Sequence, residues 1–288
     1  MKICIMFESF TGNTKHVAFS IQQILQQQDR SLQFCSVIIH QECNKQLTTY
    51  YSYPEADAYI IGTYLQNSTI PPYVHSYLSK FETSSPIMSF STSASHFNLS
   101  STQFSLLFER CNYFRHLHFV YPHNQQLRNS FEVRGVSSAQ FADLPLNLGR
   151  FQEFINQKAK PGRKMNVLLK TGKQLTLQIN SCLQKQKQIQ FKVSLECNAC
   201  GKCTQNCPVN CIKIVNEIAV INDECEKCCG CFQICPQNAI YDAAGIIKYQ
   251  YYFDSCQIGQ NREFQGKAEM KMIQQQKIRE AIENGKKE

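Results

Sequence analysis

The feature that most constrains this chain is a repeat of thiols. Cys197-x-x-Cys200-x-x-Cys203-x-x-x-Cys207-Pro208 recurs 28 residues later as Cys225-x-x-Cys228-x-x-Cys231-x-x-x-Cys235-Pro236. Three thiolates spaced two apart wrap one face of an iron-sulfur cubane, and the fourth, three residues on, lies too far round to close the same cluster. In the bacterial two-cluster pattern that fourth Cys ligates the other cluster. The spacing therefore assigns Cys197, Cys200, Cys203 and Cys235 to one [4Fe-4S] centre and Cys225, Cys228, Cys231 and Cys207 to a second. Structural zinc takes two ligands from each of two separated C-x-x-C turns, not a run of four closed by Cys-Pro, so a pair of zinc sites is the weaker reading.

The remaining cysteines do not make a disulfide framework. Of the 16 Cys in 288 residues, Cys4, Cys35, Cys43, Cys111, Cys182 and Cys256 stand singly. The first residues, Met1-Lys2-Ile3-Cys4-Ile5-Met6-Phe7, read as a buried strand and not a signal peptide, so the expected compartment is the cytoplasm. Aligning the two halves of the repeat puts Cys211 over Ala239 and Cys229 over Gly201. Cys211 is expected to be a small buried thiol. Cys229, beside the ligands, reads as a spare ligand, a redox-sensitive thiol or a bystander.

Ahead of the repeat, short apolar runs alternate with helix-like stretches. Strands are expected at 2–7, 33–39, 58–62, 86–91 and 117–121. Val17, Ile21, Ile24 and Leu25 recur at helical spacing directly after the first strand. Alternation of this kind predicts an α/β domain with a doubly wound parallel sheet over residues 1–160. A last helix over 151–160 would stop at Pro161-Gly162. Residues 161–192 read as a basic linker with a hairpin around Gly172, residues 193–250 as the cysteine-rich module, and residues 251–288 as a polar tail.

The first strand runs into Glu8-Ser9-Phe10-Thr11-Gly12-Asn13-Thr14, and a helix begins at once. Hydroxyls and backbone N–H groups at a helix N-terminus bind a phosphate, and a glycine lets the backbone come close. A capped helix start without a ligand is the plain alternative, since Ser and Thr are common caps.

The segment Ser9-Phe10-Thr11-Gly12-Asn13-Thr14 resembles the S/T-x-T-G-N-T phosphate loop of flavodoxins, and Asp57-Ala58-Tyr59-Ile60-Ile61-Gly62-Thr63 resembles the family's third strand. With the repeat, the chain is similar to the flavodoxin/ferredoxin fusion proteins of anaerobes: a flavodoxin-like domain followed by a small α+β two-cluster ferredoxin-like domain. Pro122-x-Asn124 is similar to a signature of such fusions. The resemblance implies FMN held at its phosphate by Ser9, Thr11, Gly12, Asn13 and Thr14, with Phe10 as a further cofactor-binding residue of the same loop. It implies Thr63, Tyr64 and Leu65, with Ser91 to Ala94 and so Thr92 and Ser93, around the isoalloxazine ring, and Asn124 as a further cofactor-binding residue. Three positions depart from the family: Phe10 replaces a small residue, Tyr64 a frequent Pro and Gln66 a usual aromatic.

Function follows as an expectation. FMN holds one or two electrons and each cluster passes one, so the pair would couple two-electron to one-electron redox partner proteins, as an electron carrier or reductase component. No dinucleotide turn, P-loop or H-E-x-x-H motif is present. The rival class is an iron-sulfur sensor or nucleic-acid-binding regulator with a flavodoxin-like docking domain. Its support is the formal charge of +8. Two clusters and an FMN phosphate at about −2 each would leave roughly +2, so most of the basicity balances cofactors and nucleic acid is the less favoured partner.

Overall fold

A computed structural model describes residues 1–45, 53–66, 68–93, 98–121, 142–156, 171–177 and 189–244. Its N-terminal half is ordered β1 (Lys2–Phe7), α1 (Asn13–Gln28), β2 (Gln33–Ile38), α2 (Ile39–Lys45), β3 (Ala58–Tyr64), α3 (Pro72–Leu78), β4 (Ile87–Ser93), α4 (Ser100–Leu107), β5 (Tyr113–Val120) and α5 (Leu144–Asn156).

The five strands form one parallel sheet in the order β2-β1-β3-β4-β5. This is the flavodoxin-like doubly wound order, in which the winding direction reverses between β1 and β3. Strands buried on both faces carry continuous apolar runs. β3, AYIIGTY, is buried at all seven positions, and β1 at all but Lys2. Alternate residues go to opposite faces: Ile3, Ile5 and Phe7 meet Val17, Ile21 and Leu25 of α1 and Leu148 and Phe151 of α5. Cys4 and Met6 point to the other side, towards Val74, Tyr77 and Phe104 on α3 and α4. Each such aliphatic or aromatic side chain taken from water contributes about 1.5–3 kcal/mol.

Three sequence expectations need correction. β5 begins at Tyr113, four residues before the expected Leu117. Its Arg and His residues interrupt the apolar run, yet His116 and His118 hydrogen-bond to Ser89, Ser91 and Ser93 of β4, which satisfies polar groups inside the sheet. The last helix runs Leu144–Asn156 instead of 151–160; Pro145 sits in its first turn, where a missing N–H costs nothing. The hairpin expected around Gly172 is not formed: residues 171–177 are helical, and Lys173 Nζ donates to Ser105 Oγ of α4 at 2.7 Å. The first half of that hairpin, Asn124 and the C-terminal tail lie outside the described residues.

The cysteine-rich module contains β6 (Phe191–Val193), α6 (Lys202–Gln205), β7 (Ile212–Val215), β8 (Ile218–Ile221), α7 (Gly230–Ile234) and β9 (Ile240–Asp242). β6 pairs with β9 and β7 with β8, both antiparallel, giving a small α+β unit. The sequence repeat is also a backbone repeat. Left-handed residues recur at the same offset: Ala199 and Lys227 (φ 55° each), Gly201 and Cys229 (φ 73° and 65°), Asn210 and Asn238 (φ 53° and 54°). Gly201 and Cys229 each stand at the start of a short helix that carries the third Cys of its run. Among the described residues no helix is long and apolar enough to cross a membrane.

Candidate functional site

The phosphate loop stands at the C-terminal end of β1, beside the point where the winding reverses. Gly12 takes φ 94°, a left-handed conformation that its missing Cβ permits, and turns the chain into α1. Ser9 Oγ accepts from the backbone N–H of Gly12 and of Lys15, both at 3.2 Å, which folds the loop over the helix start. Thr11, Asn13 and Thr14 are buried. The two other expected segments arrive at the same place. Thr14 Oγ1 is 2.8 Å from Thr92 Oγ1, and Leu65 N–H donates to Thr92 O at 3.0 Å. Thr63 donates its hydroxyl to Tyr64 O at 2.9 Å, and Ser93 O accepts from Tyr121 N–H at 2.8 Å. The ends of β1, β3 and β4 thus bring Ser9 to Thr14, Thr63 to Leu65 and Thr92 to Ser93 into one crevice.

Phe10 turns inward from this loop. Its ring stacks on His40 with centroids 4.7 Å apart and lies 6.2 Å from Tyr64. His40 is fixed by Glu8, whose buried carboxylate takes the His40 backbone N–H and lies against Nδ1, each at 2.7 Å. Tyr64 and Tyr73 are buried and share a hydroxyl contact of 3.2 Å. Burial first, and then the negative charge of Cys228, push the Tyr64 phenol up. The Glu8–His40 pair carries no sequence motif: the two residues are 32 positions apart and meet only because β1 and β2 are neighbours.

The polar groups gathered at this end of the sheet are of the kind that hold an FMN phosphate. The helix start, the left-handed Gly12 and the clustered hydroxyls suit a phosphate, with no cation needed. Gln66 Oε1 is buried without a hydrogen-bond partner among the described residues, which leaves an acceptor for a ligand N–H.

In the cysteine-rich module the eight expected ligands form two groups. Cys197, Cys200, Cys203 and Cys235 line one small cavity, with Ile214, Ala219, Ala239 and Ile240 as apolar wall. The fourth member of the second run therefore closes the first group. Conversely, Cys207 of the first run lies with Cys225, Cys228 and Cys231, each of which feels its neighbours' charge. Cys211 sits between two members of that second group. Its Sγ is 3.4 Å from Cys207 Sγ, and its thiol also bonds to Cys225. The one S–H of Cys211, shared between them, holds Cys207 and Cys225 below the usual thiol range. Backbone N–H groups of Cys211 and Lys227 donate to Cys207 Sγ and Cys225 Sγ, both at 3.4 Å, the kind of contact that tunes a thiolate bound to iron. Among the described residues no three His, Cys, Asp or Glu side chains converge as the ligands of a single ion do. By the chemistry of its donors, a set of four cysteines beside an apolar wall is the kind that would hold a [4Fe-4S] cluster.

The two modules touch at the second group. Gln66 Nε2 donates to Glu226 O at 3.1 Å, and the backbone N–H of Tyr73 donates to Glu226 Oε2 at 3.0 Å. Cys228 and Val209 pack against the core cluster that holds Phe10, Tyr64 and Tyr73. A Cβ on Gly230 would lie 2.6 Å from the Phe10 ring, so only glycine admits this approach. None of Glu226, Gly230 or Gln66 is marked by a motif; their roles arise from docking of the two modules.

No family model and no curated protein matches the chain. Among solved structures, a flavodoxin from the domain Archaea aligns at 9% identity and TM-score 0.38, over 54% of this chain and 99% of its own. A short-chain flavodoxin associated with a PDU bacterial microcompartment aligns at 13% and 0.38, over 56% and 99%. A flavo-diiron protein mutant from Thermotoga maritima aligns at 11% and 0.36, over 54% of this chain but only 36% of its own. At these values the likeness carries no functional argument, and the fold rests on the strand order itself.

Proposed function

We propose that this chain is an electron-transfer protein that joins FMN to two [4Fe-4S] clusters and exchanges single electrons with redox partner proteins. The observation that carries the reading is the crossed grouping of the thiols: each Cys-x-x-Cys-x-x-Cys run meets the fourth Cys of the other, as two-cluster ferredoxins require. FMN is supported by the phosphate loop at the reversal point between β1 and β3, where doubly wound sheets of this order bind that cofactor.

When bound, FMN supplies two-electron chemistry and each cluster one-electron chemistry. The chain's own part is to hold and tune them. Ser9, Thr11, Gly12, Asn13 and Thr14 would take the phosphate, and Thr63, Tyr64, Leu65, Thr92 and Ser93 would border the ring. Cys197, Cys200, Cys203 and Cys235 would hold one cluster; Cys225, Cys228, Cys231 and Cys207 would hold the other. Cys211 and the backbone N–H groups aimed at Cys207 and Cys225 would stabilise the charged form of the second group.

The test is Cys225→Ala in the full chain. Half of the iron is lost and the flavin stays. Retention of the full iron content after this change contradicts the ligand assignment, and salt-sensitive binding of nucleic acid by a flavin-free protein supports the regulator instead.

A further inference from the structure

The two cysteine groups are equivalent in sequence but not in surroundings. The cavity bounded by Cys197, Cys200, Cys203 and Cys235 is lined by residues of the cysteine-rich module alone, and Cys200 is exposed. The second group faces the sheet domain. Cys228 packs into the cluster of Phe10, Tyr64 and Tyr73. Glu226, next to Cys225, is held by Gln66 and by the N–H of Tyr73. Gly230, next to Cys231, receives the ring of Phe10.

Phe10 belongs to the phosphate loop, Tyr64 ends β3 and Gln66 stands two residues beyond it. Two of the segments that frame the crevice, the phosphate loop through Phe10 and the end of β3 through Tyr64 and Gln66, thus also meet the second cysteine group. Gln66 does both at once: its Nε2 grips the Glu226 carbonyl while its Oε1 stays without a partner among the described residues. Electron tunnelling weakens exponentially with separation, so contact decides the order in which cofactors exchange electrons.

We infer that the Cys207, Cys225, Cys228 and Cys231 group is the electron partner of the flavin, with Phe10, Tyr64 and Gln66 as the contact layer, and that the Cys197, Cys200, Cys203 and Cys235 group is remote from it and faces external one-electron carriers. This inference rests on the electron-transfer reading above. Each exchange moves one electron: a reduced flavin gives one to an oxidised cluster of the second group, which passes it to the first group and on to an oxidised protein carrier. Two such passages, with two protons released to water, return the flavin to its oxidised form; the reverse route starts from a reduced carrier. Gln66 acts as a positioning residue, because it ties the crevice to the loop that carries Cys225 and Cys228.

The experiment uses the full chain reconstituted with iron, sulfide and FMN. Cys225→Ala, and Cys207→Ala as a second variant whose position lies outside the contact loop, are compared with Cys197→Ala and Cys200→Ala. In the first pair the flavin EPR signal loses the fast relaxation imposed by a paramagnetic neighbour. The flavin potential also rises there, because a nearby negative cluster has gone. In the second pair both stay at the parental values. The opposite pattern, or equal changes in both pairs, overturns the proposed order. Iron and flavin are counted on the same samples: half the parental iron with the flavin retained, but the wrong relaxation pattern, overturns the order alone, whereas a parental protein that takes up no cluster or flavin overturns the electron-transfer reading and this inference with it.

Discussion

The backbone N–H of Tyr73 donates to the Glu226 carboxylate at 3.0 Å, across 153 residues of chain. An acidic side chain of the cysteine-rich module thereby satisfies a free donor in the first turn of α3, in the sheet domain, as a helix cap would.

Glu226→Ala removes this contact and weakens the docking of the two modules. A single hydrogen bond to a charged acceptor is worth about 1.5–3 kcal/mol, and partial exposure of Glu226 puts the expected loss at about 1 kcal/mol. Hydrogen exchange at Tyr73 and Val74 quickens in the variant. Unchanged protection at both amides would show that the contact does not hold the modules together.

Gly230→Ala drives a methyl group into the Phe10 ring, which must shift against its stack on His40. Such overpacking costs about 1–3 kcal/mol. Combining Gly230→Ala with Phe10→Leu recovers much of the loss, because the second change opens the space the first one needs. Denaturant midpoints of the two single variants and the double variant measure the coupling, and simple additivity contradicts the contact.

Cys229→Gly is expected to stabilise the protein. Cys229 holds φ 65°, a conformation its repeat partner Gly201 adopts freely, at a cost for an L-residue of roughly 1–2 kcal/mol. Its thiol donates to Lys227 O at 3.3 Å, a weak bond to lose. A gain of about 1 kcal/mol with unchanged iron content identifies Cys229 as a bystander. Loss of iron would make it a ligand.

Acid sensitivity is expected from His116. Its ring meets Ser89, Ser91 and Ser100 and stacks on Phe104, and burial, reinforced by the charge of His118, lowers it from 6.5 to about 3. Between those values the unfolded chain binds a proton that the folded chain refuses. Stability from this group is therefore complete above about pH 6.5 and falls as pH drops towards 3, by up to about 1.4 kcal/mol per unit. Replacing the imidazole with an amide, His116→Gln, flattens this slope in unfolding measurements over that range; an unaltered slope assigns the acid sensitivity elsewhere.

How much of this was legible in the sequence depended on whether a signal was local. The sheet was readable because strands buried on both faces carry continuous apolar runs, as in β1 and β3. β5 was read short because His116 and His118 look like surface residues until the serines of β4 are seen to receive them. The false hairpin at Gly172 came from weighing a turn residue above helical context, which local pattern does not reveal. In the site, the phosphate loop and both thiol runs are contiguous motifs. Glu8 with His40, and Glu226 with Gln66 and Tyr73, are pairings between distant segments that only the fold creates. Cys211 was legible as a buried thiol from the repeat, but not as the group that bridges Cys207 and Cys225.

The most direct measurement is cofactor analysis of the full chain, expressed and purified without oxygen. The account predicts about eight irons with matching sulfide and about one FMN per chain, all reversibly reducible in an EPR-monitored titration. Zinc in place of iron, or a colourless protein with no flavin, would contradict it.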